Sequence, residues 1–251
     1  MTSPFSVPSD WYKSFFTDPV VRFWDAAIPS HVTQADVAFI LRHIGVSPPA
    51  TIADIPCGTG RHALALARLG FNVTAIDASA AALERAQAAA GHDLLSFQRS
   101  DMLKFKADAP LDALLCMGNS IGYFEPSLTR RLLRRFASAL KIGGRLILDT
   151  GICAESLLPI AAERHIEFPG GSYQQEIDYD ASESVLNTRA KLTIDGVAHE
   201  LLYRHFVMTS GELLRMLRAA ALRVVALYGD TADGTFAPGS PRLLIVAVKT
   251  A

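Results

Sequence analysis

The stretch Thr51 to Asp77, TIADIPCGTGRHALALARLGFNVTAID, constrains the fold more than any other part of the chain. A short apolar run, Thr51 to Ile55, leads into the turn Pro56-Cys57-Gly58-Thr59-Gly60, and an Ala/Leu-rich segment with helical spacing follows. A second β-branched run, Asn72 to Ile76, ends on Asp77. The order is strand, tight turn, helix, strand. Gly58 and Gly60 have no Cβ, so the backbone can take strained torsions and a ligand can approach closely where the first strand gives way to the helix. Asp77, at the tip of the second strand, is placed to accept hydrogen bonds from a ribose diol. The unit predicts a nucleoside-binding crevice.

Two ligand classes fit this unit. Gly58-x-Gly60-x-x-Ala63, with an acid closing the next strand, satisfies the loose dinucleotide pattern and would suit an NAD(P)-dependent oxidoreductase. An acid also stands four residues before the first glycine, in Asp54-Ile55-Pro56-Cys57-Gly58-Thr59-Gly60. That arrangement resembles the first motif of the class I S-adenosylmethionine-dependent methyltransferases, where the loop backbone meets the amino-acid half of the cofactor instead of a pyrophosphate. The resemblance implies S-adenosylmethionine as cofactor, S-adenosylhomocysteine as product, and cofactor contacts from Asp54, Pro56, Cys57, Gly58, Gly60, Asp77 and Ala78.

Composition limits the partners. A chain of 251 residues has room for one domain with an elaboration and a sizeable core. With a net charge of -1 the protein has no overall electrostatic attraction to nucleic acid or anionic membrane. A small-molecule acceptor is expected, handled by a monomer or homodimer. Cys57, Cys116 and Cys153 cannot all pair and none forms a CxxC, which points to a reducing compartment. No basic start with an apolar h-region opens the chain and no apolar run reaches membrane-spanning length, so the expected location is the cytoplasm.

Upstream of the crevice, Asp10 to Ile44 reads as helical pieces broken by Pro19 and Pro29, with Thr33 and Asp36 as a variant capping box. The segment is dense in aromatics: Trp11, Tyr12, Phe15, Phe16, Phe23 and Trp24. Its Tyr-then-Trp layout is similar to that of glycine N-methyltransferase-like enzymes and amino-sugar N-methyltransferases, whose N-terminal helices cover the methionine moiety. That likeness assigns Tyr12 and Trp24 to the cover.

Downstream, Ser79 is placed to cap a helix ended by Gly91, and a third strand spans Leu94 to Gln98. Asp101 and Met102 match the family's acid beside the adenine amine and its apolar residue against the ring. Leu111 to Cys116, apolar almost throughout, is a strand covered on both faces. It runs into Met117-Gly118-Asn119, where open α/β sheets bind ligands, and so into the donor wall. Tyr123 follows, at a place where amino-sugar dimethyltransferases carry a histidine in "Ser-x-Gly-His-Leu". A helix over Ser127 to Leu140 turns Arg130, Arg131, Arg134 and Arg135 to solvent, and a fifth strand begins at Arg145 after a "Leu-Lys-x-Gly-Gly-Arg-Leu" turn similar to the family's.

From Glu163 to Met208 polar and apolar residues alternate, with Asp195-Gly196 as a hairpin signal. This antiparallel insertion lies over the strand ends as a lid, and Tyr173, Glu176, Tyr203 and His205 are its candidates for acceptor contact, with Arg242 in the last loop. No histidine has ligand-like spacing, so no metal is expected. Thr209 and Glu212 form a capping box for another helix, and Val224 to Tyr228 and Leu243 to Val248 complete the strands.

The expected fold is α/β: a Rossmann-like, doubly wound seven-stranded sheet with an antiparallel last strand, plus the β lid. The expected division is 1–50 as helical flap, 51–162 as cofactor-binding core, 163–208 as lid and 209–251 as the end of the core. The resemblance implies methyl transfer to a small molecule. An amine acceptor attacks with its own lone pair and needs only to lose a proton to water or a weak acceptor, whereas a hydroxyl or phenol needs a nearby base. N-methylation is therefore the leading expectation, with Tyr123 and His31 as catalytic candidates. O- or C-methylation, an oxidoreductase and a non-catalytic cofactor-binding protein are the alternatives.

Overall fold

A computed structural model describes residues 7–160 and 163–251. Residues 161–162, where the expected boundary between core and lid falls, and the first six residues of the expected flap lie outside the described residues.

Five strands, β1 (Thr51–Asp54), β2 (Asn72–Asp77), β3 (Leu95–Arg99), β4 (Leu111–Cys116) and β5 (Leu140–Thr150), run parallel, and β10 (Leu222–Tyr228) and β11 (Leu243–Lys249) complete one seven-stranded sheet. The order is β10-β11-β5-β4-β1-β2-β3, with β11 antiparallel to both of its neighbours. The last strand in sequence is thus inserted between two others in the reverse sense, as expected. Alternation along the strands sends Ala53, Leu114 and Leu146 to one face, against α6 (Pro126–Ala139) and α8 (Ser210–Ala219). Ile52, Leu115 and Ile147 go to the other, against α3 (Ser30–His43) and α4 (Arg61–Arg68). A period of two is what buries both faces.

The segment Glu163 to Phe206 forms a separate antiparallel sheet of β6 (Glu163–Phe168), β7 (Gly171–Asp180), β8 (Val185–Ile194) and β9 (Val197–Phe206), in that order. Asp195 and Gly196 turn β8 into β9 with φ of 52° and 78°, the left-handed pair a two-residue hairpin requires. The sheet packs Tyr173, Ala190 and Leu192 against Val20 and Phe23 of α2 (Asp18–Ala27), so flap and lid share a small core.

Local signals hold at several ends. Ser79 Oγ accepts from the Ala82 amide to cap α5 (Ala80–Ala88), and the Thr209–Glu212 box is complete in both directions. Three expectations need correction. The third N-terminal helix starts at Ser30 behind Pro29, so Thr33 lies inside it and caps nothing; a proline at the N-cap sets the entry instead. The helix after Ser79 is over by Ala88, before Gly91. Residues 140–144 belong to β5, because Leu140 already pairs with Leu111 ahead of the register shift that realigns Arg145 with Ala113. Two short turns of helix were not foreseen: the 3-10 turn Ser120–Tyr123 and α7 (Ala154–Leu157). Among the described residues no helix is long and apolar enough to cross a membrane.

Candidate active site

A cavity of about 500 Å³ opens between the carboxyl ends of β1, β2 and β4, the lid sheet and the flap formed by α1 (Tyr12–Phe15) and α2. The loop after β1 forms one wall with Ile55 to Thr59. Its Gly58 amide donates to Asp77 Oδ2 at 2.8 Å, and the Ser79 amide donates to Asp77 Oδ1 at 2.8 Å. Two strand-end loops thus fix one carboxylate at the cavity surface. Burial pushes the Asp77 pKa up, while the amides of Ser79 and Gly58 pull against it. Gly58 has φ of 55°, and a Cβ there would meet nothing within 4 Å. The bare backbone faces open space.

A second loop faces the first. Gly118 and Asn119 both sit in the left-handed region, at φ of 79° and 72°. Asn119 holds this uncommon geometry by accepting from the Gly151 amide through Oδ1 at 2.6 Å, and the Gly118 amide donates to Asp149 Oδ2 at 3.0 Å. Asp149 is clamped in turn by Arg242, with contacts of 2.7 and 2.8 Å. Arg242 also reaches Asp36 Oδ1 at 2.8 Å, and Asp36 Oδ2 takes Arg61 at 2.7 Å and lies 3.2 Å from His62 Nε2. Asp36 is fully buried. Burial alone would raise its pKa, but the bond to His62 and the charges of Arg242 and Arg61 outweigh that and hold it well below the usual carboxylate range. This network ties α3, the start of α4, the end of β5 and the approach to β11 into one support for both loops.

On the side of β3, Asp101 accepts from the Leu103 amide at 2.8 Å and meets the Tyr12 hydroxyl at 3.5 Å, so the flap closes over Asp101 and Met102. Burial, with the Asp101 and Asp10 charges added, pushes the Tyr12 phenol up to about 12. Further latches hold the flap: Asp25 accepts from Thr59 Oγ1 at 2.6 Å and from Arg85 Nε at 3.0 Å, and Ser79 Oγ donates to the Phe16 carbonyl at 2.7 Å.

The structure brings Tyr12, Trp24, Pro56, Cys57, Gly58, Asp77, Ala78, Asp101, Met102, Met117, Gly118, Asn119, Tyr123, Tyr203 and His205 to one cavity. Other candidates stand elsewhere. His31 is exposed on the first turn of α3, away from the wall, the helix beginning four residues earlier than the capping signal placed it. Glu176 points to solvent beside Arg189, since alternation along β7 sends its neighbours Gln175 and Ile177 inward instead. Tyr173 is on the inward face but covered: its ring stacks on Phe23 at 4.6 Å and its hydroxyl lies 2.6 Å from that of Tyr203. Arg242 is spent on Asp36 and Asp149. Gly60 turns the chain into α4 behind the loop. Asp54 is wholly buried beneath it, and burial, against the opposing charges of His62 and Arg61 and the Ala63 amide, pushes its carboxyl up to about 6.

Trp11 was missed. It is 4 % exposed, lines the cavity, and meets the rings of Phe15 at 5.0 Å and Tyr123 at 4.9 Å. The aromatic density of residues 11–24 is the available signal; which ring faces inward depends on Tyr123 and His205, on other elements, which meet Trp11. Asp36 was also misread, because an acid at helical spacing after Thr33 looks like a cap.

Comparison with known proteins shows the family of the chain. A methyltransferase domain family matches residues 52–144. A glycine/sarcosine N-methyltransferase of Aphanothece halophytica is 30% identical over 248 residues, covering 96% of this chain and 92% of that protein. The chain is a class I S-adenosylmethionine-dependent methyltransferase. Two solved structures share its fold: the methyltransferase CcbJ of Streptomyces caelestis superimposes with a TM-score of 0.82 at 16% identity, covering 98% of this chain and 100% of that one. The sugar N-methyltransferase KedS8 of a Streptoalloteichus species gives 0.74 at 19% identity, covering 100% and 98%.

The methyltransferase has a cavity that fits this cofactor on its own evidence. Glycine backbone faces open space at Gly58 and Gly118, and a buried carboxylate at the end of β2 is preset by two amides. These suit a ligand with a diol at one point and close-lying main-chain contacts at another. The strand-end loops, the flap and the lid enclose the cavity on three sides.

Proposed function

We propose that this methyltransferase methylates the nitrogen of a small amine-bearing molecule. When bound, S-adenosylmethionine would supply a methyl group activated by its sulfonium: an amine lone pair would form the N–CH3 bond as the S–CH3 bond breaks, with S-adenosylhomocysteine as the leaving group and one proton passed from nitrogen to water. Asp77 would hold the ribose, Asp101 and Met102 the adenine, and the Gly58 and Gly118 loops the amino-acid end. Tyr12 and Trp24 roof the site from the flap, and Tyr123, Tyr203 and His205 face the acceptor.

The observation that carries the reading is the character of the acceptor wall. It holds phenols whose pKa values burial pushes up, and one buried histidine that burial pushes down to about 4. A hydroxyl acceptor needs a strong base at this point, and these groups are weak ones. An amine needs alignment and dehydration more than deprotonation. The named activities of the Aphanothece relative and of KedS8 support the same choice. The test is incubation of the protein with S-adenosylmethionine and a panel of small amines and matched alcohols, read by mass spectrometry. Methylation of amines with equimolar S-adenosylhomocysteine is the expected result; methylation confined to alcohols or phenols overturns it.

A further inference from the structure

The lid sheet completes the acceptor end of the cavity, and what it contributes is almost free of charge. Ile177 from β7, Leu186 and Thr188 from β8, and Tyr203 and His205 from β9 form the floor. Across from them stand Trp11 and Tyr123, whose rings meet edge to face. His205 closes the corner, 5.9 Å from the Trp11 ring and 5.5 Å from that of Tyr123. Among the described residues, its Nδ1 and the Trp11 Nε1 are both buried without a hydrogen-bond partner. Because burial lowers its pKa to about 4, His205 is neutral at physiological pH. Among the described residues, the one charged side chain that the lid adds to the wall is Arg164, on the exposed edge strand β6.

Flat rings and branched aliphatic side chains on opposite walls favour a flat or compact apolar body, which covers them and releases their water. A carboxylate brought among the Ile177, Leu186, Trp11 and Tyr123 side chains would lie against apolar surface, and the one lid cation that could meet it is Arg164, whose charge is felt at the Tyr203 and Tyr173 hydroxyls at one end of the floor. Resting on the N-methyltransferase reading above, we propose that the acceptor is an amine joined directly or through a short chain to an aromatic or alicyclic ring and bearing no carboxylate, its ring lying between the Trp11–Tyr123 wall and the Ile177–Leu186 floor. A free amino acid such as glycine leaves most of these walls uncovered. The floor residues, contributed by the lid, are then the determinants of specificity.

The test uses the full chain and phenethylamine as the ring-bearing probe, against glycine and sarcosine. Phenethylamine is expected to bind the S-adenosylhomocysteine-loaded protein in calorimetry and to be methylated with kcat/KM at least about tenfold above either amino acid. Ile177→Asp places a charge on the floor at a half-buried position. It should lower kcat/KM for phenethylamine by about tenfold or more and leave S-adenosylhomocysteine affinity unchanged. Glycine or sarcosine turned over as well as phenethylamine, no calorimetric binding of phenethylamine, or an Ile177→Asp protein that keeps full phenethylamine activity would each overturn the proposal. Failure of the wild-type protein to bind S-adenosylhomocysteine would strike the methyltransferase site itself, a different and separable result.

Discussion

Asp54 and Asp36 are both buried carboxylates, and their surroundings push them in opposite directions. Asp36 is bonded directly to Arg61, His62 and Arg242, whereas for Asp54 burial outweighs the more distant charges of His62 and Arg61 and the Ala63 amide. With a folded pKa of about 6 against an ordinary value near 4, the stability Asp54 permits is fully present below the unfolded value and is lost as pH rises through the folded one. Asp54→Asn should therefore gain on the wild type in stability as pH goes from about 4 to about 7, by an amount on the order of 3 kcal/mol, and its melting temperature should rise relative to the wild type over the same range. Parallel thermal scans at several pH values check this, and a constant offset would contradict it. For Asp36 the sign is reversed: its contribution is present above the unfolded value and fades as pH falls below it. Arg242→Met leaves Asp149 and Asp36 each short of a buried partner and should destabilise by about 3 kcal/mol in urea unfolding, with Lys restoring only part because it lacks the two-sided fork. Neither carboxylate's surroundings were legible in sequence. Asp54 was read from its place in a motif, and the Asp36 partners lie 25, 26 and 206 residues away.

At the scale of elements, local chemistry was readable wherever it decided the outcome. The glycine turn after β1, the Ser79 cap, the Asp195-Gly196 hairpin and the Thr209 box each stand where residue type alone puts them. What depended on tertiary contacts was not: α1 is only four residues long, and Trp11 faces inward because Tyr123 and His205, on other elements, are there to meet it. In the lid the alternation was legible but not its phase at Glu176, which a shift of one residue reverses. The flap illustrates how elements are joined for function. Asp25 links α2 to Thr59 and Arg85, both partly exposed, so Asp25→Ala should change stability by less than about 1 kcal/mol. It should nevertheless speed S-adenosylhomocysteine release several-fold, on the order of what one or two lost polar contacts allow, in a stopped-flow displacement experiment. An unchanged release rate would mean that the flap does not restrain the product.

At the scale of the whole molecule, two sheets and a helical flap meet at the carboxyl ends of β1, β2 and β4, which is where a doubly wound sheet leaves a crevice. The seven-stranded sheet supplies rigid strand ends, the lid supplies the acceptor floor, and the Asp36–Arg242–Asp149 network holds the two loops between them. The central claim is that this crevice grips the sugar of a sulfonium nucleoside through Asp77. Isothermal calorimetry with S-adenosylhomocysteine on the wild type and on Asp77→Ala tests it most directly. The account predicts micromolar binding by the wild type and a loss of about 1–3 kcal/mol in the variant. Equal affinity for the two proteins, or a wild type that ignores S-adenosylhomocysteine and takes up NADH, would contradict it.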